Sequence, residues 1–382
     1  MKKISINKLL KCIGILCGAA MLLGLNSCSS EKDPESVVNL LPVQKKRSGD
    51  GIWSMADNKG NVVYDNAFDG KPTLAVNGFF SVRMNNRYST LYKIGENGPE
   101  VVNGCEHLED VGKMQDGLIP VVRRGGRIEV VNESGETQFE LSPVDGVEIK
   151  ECDKSFSSGM LLVKTKERKY GFVDKKGNNV VPCIYEYASR FSNGYAIVSK
   201  KGSGYSEWSL IDTSGDEVID LGESIYGFDM LCGYIKGVKD GKYVLMDTDG
   251  DEYKLPEGTC NLLDMHDGLI IYNAGRDGLT NLDGDVLIEP SYYSLQFAPN
   301  GDLIGKKVYG SSEIDILDTK GNVKQTLDFK EIEVIPGFGC LVKNKNSYAI
   351  LDENFKEAGE EELRNYSIVE PYSMIRSDYK GY

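Results

Sequence analysis

One turn keeps returning along this chain, and it decides what the chain can fold into. Its clearest form is Tyr170-Gly-Phe-Val-Asp174-Lys-Lys-Gly177. Close copies end at Gly60, Gly135, Gly215, Gly250 and Gly321, with Asp57, Asn132, Asp212, Asp247 and Asp318 opening the turn. Weaker copies lie at Leu91–Gly95, Leu279–Gly284 and Tyr348–Asp352. The consecutive glycines 135, 177, 215 and 250 are 42, 38 and 35 residues apart. A period of that size belongs to a solenoid, a propeller or another array.

Each unit reads as strands. The residues before the Asp are β-branched, aromatic or aliphatic. Asp or Asn bonds its own backbone, and Gly supplies the positive φ that closes the turn. A second strand follows, as in Asn179-Val-Val, and a further one after a Gly, as in Gly159-Met-Leu-Leu-Val-Lys. Only Glu360–Arg364 reads as a short helical turn. The expected fold is all-β, with units of about 37 residues closed into a β-propeller of seven to nine blades. An open β-superhelix is the alternative. The chain also starts on a hairpin, Ile52–Val63, and ends on a strand, Ser373–Arg376. The latter is expected to fill the open position beside Trp53 and so close the ring.

The first residues carry an address. Lys2, Lys3, Lys8 and Lys11 precede an apolar stretch from Cys12 to Leu25, and the segment ends Leu25-Asn26-Ser27-Cys28. A charged n-region, a short apolar run and small residues describe a secretory signal peptide over 1–27. The ending resembles a lipobox, the signal of bacterial lipoproteins. That resemblance implies cleavage between Ser27 and Cys28 and a lipid on Cys28, which anchors the chain to a membrane. Residues 28–48 then read as a flexible acidic tether, and 49–382 as the repeat domain. The polar stretch Ser29–Glu35 is similar to the export signal of Bacteroidetes surface lipoproteins. It favours the outer face of the outer membrane over the periplasmic leaflet.

Composition narrows the partners. The formal net charge is −14. Loss of residues 1–27 removes four lysines and no acid, leaving a charge near −18. Such a body repels nucleic acid, and no basic run occurs downstream of Arg47. Cys105, Cys152, Cys183, Cys232, Cys260 and Cys340 are too widely spread for a disulfide framework. Most are expected as free, buried thiols.

Residues 169–199 resemble the WG β-repeat of bacterial exported proteins. The resemblance rests on Lys169-Tyr170-Gly171-Phe172-Val173-Asp174, Gly177, Val181-Pro182, Tyr185 and Phe191-Ser192-Asn193-Gly194-Tyr195-Ala196. Parts recur at Leu282-Asp-Gly284 and Ile288-Glu-Pro290. No Trp-Gly pair is intact, since Trp53 and Trp208 are each followed by Ser. The family implies no catalytic residue.

Catalysis finds little else. His107 and His266 read as surface-loop residues without metal-ligand spacing. No nucleophile elbow, phosphate loop or zinc motif is present. Asp247-Thr-Asp249-Gly250-Asp251-Glu252 has alternating oxygen ligands, but its Gly falls at the fourth place rather than the sixth, so it reads as a hairpin turn. Tyr185, Tyr187, Tyr292 and Tyr293 could stack on sugars or dock a protein, though their recurring position favours core packing. The expected function is a non-enzymatic, lipid-anchored module that needs no cofactor and no metal, and binds an envelope protein or a glycan. The alternatives are a polysaccharide hydrolase or lyase with a carboxylate site, and a structural subunit of an envelope complex.

Overall fold

Four antiparallel strands make the unit, and the segment carrying the clearest turn shows why. Ile149–Cys152, Met160–Thr165, Tyr170–Asp174 and Asn179–Tyr185 pair in chain order, and are called strands a to d. Leu161 faces Val173 across the sheet, and Phe172 faces Val181. Phe172, Val173, Leu161 and Val163 are all buried although they point to opposite faces. A strand with a neighbour on each face loses the polar alternation of a half-exposed one. Strand d, at the outer edge, regains it: Val181 and Tyr185 are buried, Pro182 and Ile184 exposed.

A computed structural model describes residues 37–45, 52–84, 87–201, 206–224, 227–335, 337–344, 348–358 and 366–367. Among these, the four-stranded unit recurs in seven separate sheets, at 110–140, 149–185, 187–224, 228–253, 261–292, 294–328 and 331–358. Two further units, 38–68 and 71–101, merge into one nine-stranded sheet. They merge because Val38–Lys45 pairs with Trp53–Ala56 on one edge and with Ala75–Val76 on the other. Counted in chain order, these are blades 1 to 9.

Packing shows that the blades form a ring. Nine apolar clusters separate them, one at each junction of neighbouring blades, and the one between blades 9 and 1 also takes in Leu74 and Val76 of blade 2. Leu161 and Val163 of blade 4 pack on Val130 of blade 3. Phe172 and Val181, across the same sheet, pack on Phe191 and Ala196 of blade 5. Nine blades in an open coil would have one interface fewer. The ninth joins the ends: Val38, Leu41 and Val43 of blade 1 pack against Ile335, Phe338 and Leu341 of blade 9. The protein is an all-β, closed, nine-bladed propeller.

The closure differs from the sequence expectation in two ways. Residues 28–48 are not tether throughout, since Val38–Lys45 is a strand in which Leu41 and Val43 are 1% and 0% exposed. Its apolar residues pack on Met55 and Ala56 of its own blade and on residues of blades 2 and 9, and it carries no repeat turn of its own to mark it. The strand beside Trp53 is therefore this one, with Leu41 opposite Ala56. The chain's later part also returns to it, with Tyr366–Ser367 pairing Lys45 and Gln44. Ser373–Arg376, Glu360–Arg364, Ser27 and Cys28 lie outside the described residues.

Candidate interaction surface

The recurring Asp and Asn side chains are committed to their own turns. Asp174 Oδ1 accepts the backbone N–H of Lys176 at 2.8 Å and of Asn178 at 2.9 Å, and Oδ2 accepts Asn178 Nδ2 at 2.8 Å. Partial burial pushes its carboxyl up, but these hydrogen bonds outweigh it and hold the group below its ordinary value. Asp57, Asp212 and Asp318 repeat the arrangement. So does Asp247, whose Oδ1 accepts from Asp249 and Asp251. Glu252 pairs with Lys239 at 2.8 Å. Asp247 thus spends its carboxylate within the turn and Glu252 on a neighbouring strand. Among the described residues no group of His, Cys, Asp and Glu is arranged to hold a metal.

Other reactive groups are also occupied by the fold. His107 is exposed in the link between blades 2 and 3, edge-on to Tyr88. His266, expected on the surface, is 5% exposed at the end of a strand a. Its ring lies 5.4 Å from that of Phe297 on blade 8, a contact between blades that sequence spacing does not reveal. The six body cysteines are free thiols. Cys105 and Cys340 are buried, Cys152, Cys183 and Cys232 half-buried, and Cys260 exposed. Desolvation pushes Cys152 and Cys340 up to about 12 and Cys183 up to about 11, so these thiols stay protonated at neutral pH. Desolvation also raises the Asp229 and Asp277 carboxyls, which stand on different blades. Asp277 accepts from Asn273 at 2.6 Å and from the Leu295 N–H at 3.0 Å, fastening blade 7 to blade 8.

The four singled-out tyrosines divide by position. Tyr185 and Tyr292, at the ends of d strands, are 6% and 4% exposed and belong to the core. Tyr187 and Tyr293, just beyond, face solvent. Tyr187 leans on Trp208 at 5.4 Å, and Trp208 donates its Nε1–H to the Ser224 carbonyl. Cations cover several of these rings. Lys200 lies 5.7 Å from the Tyr185 ring, Lys307 5.5 Å from Tyr292, and Lys164 4.8 Å from Tyr170. Lys164 and Tyr170 sit directly opposite on strands b and c. Strand pairing therefore assembles an aromatic–cation pattern that the linear sequence lacks.

The antiparallel meander sorts the loops onto two faces. Turns a–b and c–d share one face, and loops b–c share the other with the d-to-a links. The c–d turns carry acids such as Asp212, Asp216, Asp247, Asp249 and Asp285. The b–c loops carry bases such as Arg123, Arg124, Arg127, Lys166, Arg168 and Lys169. On that second face Tyr293, Val308 and Tyr309 are 50%, 62% and 78% exposed, the three most exposed large apolar side chains among the described residues. They are neighbours: the Tyr293 and Tyr309 rings are 5.1 Å apart at 57°, and Val308 adjoins Tyr309. Isolated exposed apolar residues are ordinary, whereas a cluster marks a contact surface. Val308 and Tyr309 lie in the Lys307–Ser312 loop, which has no repeat signature, so sequence periodicity passed over them.

Comparison with known proteins agrees with this picture in one segment. The family described as "WG containing repeat" matches residues 170–203, from strand c of blade 4 into blade 5. No curated protein matches the chain. Among solved structures, the computationally designed Ika8 protein is 14% identical, with 79% of this chain and 99% of that one covered at a TM-score of 0.39. BamB from Moraxella catarrhalis is 13% identical, covering 75% and 89% at a TM-score of 0.36. The WD40 β-propeller domain of Doa1 is 13% identical, covering 71% and 88% at 0.28. These likenesses are remote, and the fold rests on strand order and on the nine interfaces.

Proposed function

We propose that this protein is a lipid-anchored envelope module, displayed on the cell surface, that binds a protein or a glycan through the b–c face of its propeller and performs no chemistry of its own. One observation carries the reading. The three most exposed large apolar side chains among the described residues gather on one face, while the recurring turn carboxylates such as Asp174 serve their turns and the buried Asp277 fastens two blades. The lipid anchor follows from the Lys-rich start, the apolar run and Ser27-Cys28.

Two measurements test it. Cys28→Ala should release the body from the membrane fraction while leaving its melting temperature unchanged, and the wild-type N-terminus should carry acyl mass. A Cys28→Ala protein that stays in the membrane overturns the anchor. Photo-cross-linking in the native envelope should capture a partner from b–c loop positions and not from c–d turn positions. Equal capture from both faces overturns the binding face.

A further inference from the structure

We infer that the Lys307–Ser312 loop of blade 8, together with Tyr293 and Arg276, is the hot spot of that binding face, and that its occupant is a polypeptide segment presenting a carboxylate beside an apolar or aromatic side chain. The inference rests on the binding-module reading above and names its site and partner chemistry.

Three observations converge on it. The first is apolar. Tyr293, Val308 and Tyr309 form one exposed patch, and the tyrosine rings open toward each other at 57°. Tyrosine anchors contacts at small entropic cost, and Val308 adds aliphatic surface that suits a protein side chain better than a sugar hydroxyl.

The second is charge. Arg276, in the b–c loop of blade 7, donates from one guanidinium nitrogen to the Lys307 carbonyl at 2.9 Å and to the Ser291 carbonyl at 3.5 Å. Those carbonyls bracket the patch and fix the guanidinium beside it without neutralising it. Among the described residues no carboxylate pairs with Arg276. Lys306 and Lys330 adjoin, with Lys306 Nζ donating to the Lys330 carbonyl at 2.5 Å. Of the acids on blades 8 and 9, Asp315 is taken by Lys307 at 2.9 Å, and Glu331 by Lys343 at 3.4 Å and Lys330 at 3.9 Å, which leaves Arg276 a cation without a carboxylate among the described residues. A positively held fork beside an apolar patch complements a carboxylate next to an apolar group.

The third is orientation. The Val37 N–H donates to Asn77 Oδ1 at 2.8 Å, and Asn77 lies in an a–b turn. The chain therefore enters the propeller on the face opposite the patch. An anchor at Cys28, at most about 30 Å of extended chain away, would turn the Tyr293–Tyr309 face away from the bilayer. That favours a partner facing the membrane-bound protein over insertion of the loop into its own membrane.

The test uses the full-length protein in detergent, panned against a displayed random peptide library. Enriched peptides should combine Asp or Glu with an aromatic or aliphatic residue, and their binding should weaken as salt is raised. Tyr309→Ala and Arg276→Ala should each weaken it about tenfold or more. Val218→Ser, at an exposed strand d position of blade 5, should leave it unchanged. Both Tyr309 and Arg276 are exposed, so equal melting temperatures of the variants will separate binding loss from unfolding. Enrichment of no peptide, of basic or uncharged peptides, or of peptides indifferent to Tyr309→Ala and Arg276→Ala overturns the inference. So does glycan-array binding that depends on the same two residues. Peptides that bind elsewhere on the b–c face overturn the hot spot alone and leave the binding module standing.

Discussion

At the scale of single residues, the fold depends on a few strained or buried positions. Gly177 has φ 82°, and a Cβ there would lie 2.6 Å from the Phe139 ring on blade 3. Gly177→Val should therefore cost more than the roughly 1–3 kcal/mol of backbone strain alone. Lys176→Ala, at the exposed turn tip, should stay within about 0.5 kcal/mol. Denaturant titration of the pair would check this, and equal midpoints would contradict the turn. Glu129 is a second such position. It is 6% exposed and accepts from Arg123 at 3.0 Å, from Arg127 at 2.8 Å and from Thr137 at 2.8 Å. Desolvation raises its carboxyl, but the Thr137 and Arg123 hydrogen bonds and the two guanidinium charges prevail, so the folded pKa lies below 4.5. A depressed folded pKa adds stability that is present above the unfolded value and lost as pH falls through the folded one. Glu129→Gln should thus destabilise by about 3 kcal/mol at pH 7. The gap to wild type should narrow as pH drops below 4.5, as read by melting temperature across pH.

At the scale of elements, the c–d hairpin was legible because its chemistry is local. Asp174 touches only Lys176, Asn178 and the turn they share, all within four residues. Asp174→Ala removes three hydrogen bonds from that turn and should cost about 1–2 kcal/mol. Asp174→Asn should cost under about 0.5 kcal/mol, because Asn132 and Asn281 already do the same work in blades 3 and 7. Thermal unfolding of the two variants would settle the order, and an equal loss would show that charge rather than geometry matters there. The a–b turns were legible for the same reason. Asn193 and Gly194, with φ 50° and 86°, form the two-residue turn that an Asn-Gly pair announces.

At the scale of the whole molecule, stability depends on the ring being shut. Val38–Lys45 pairs with Trp53–Ala56, Ala75–Val76 and Tyr366–Ser367, and its apolar side chains fill the interface between blades 9 and 1. A soluble form beginning at Val37 should melt as one cooperative unit at the temperature of the mature chain. A form beginning at Trp53 should lose that cooperativity or aggregate, since it uncovers the apolar side of blade 9 and two sheet edges. If the two forms melted within a degree or two of each other, closure by this strand would be refuted.

Local chemistry by itself determined the all-β class, the repeat of about 37 residues and the turns that punctuate it. An Asp that bonds its own backbone, or a Gly that must take positive φ, shows wherever the chain is read. Only the tertiary structure decided that the array closes, that nine blades close it, and that Val38–Lys45 belongs to the body rather than to a tether. Those facts rest on contacts such as Val38 with Ile335, whose partners lie almost the whole chain apart and share no motif. The same limit governed the candidate surface. Tyr185 and Tyr187 are alike in sequence, yet one is core and the other faces solvent, because the end of strand d falls between them. Tyr293 and Tyr309 met only because strands a and b of blade 8 brought the link and the loop side by side. Burial and proximity are properties of the assembled ring, and no single repeat contains them.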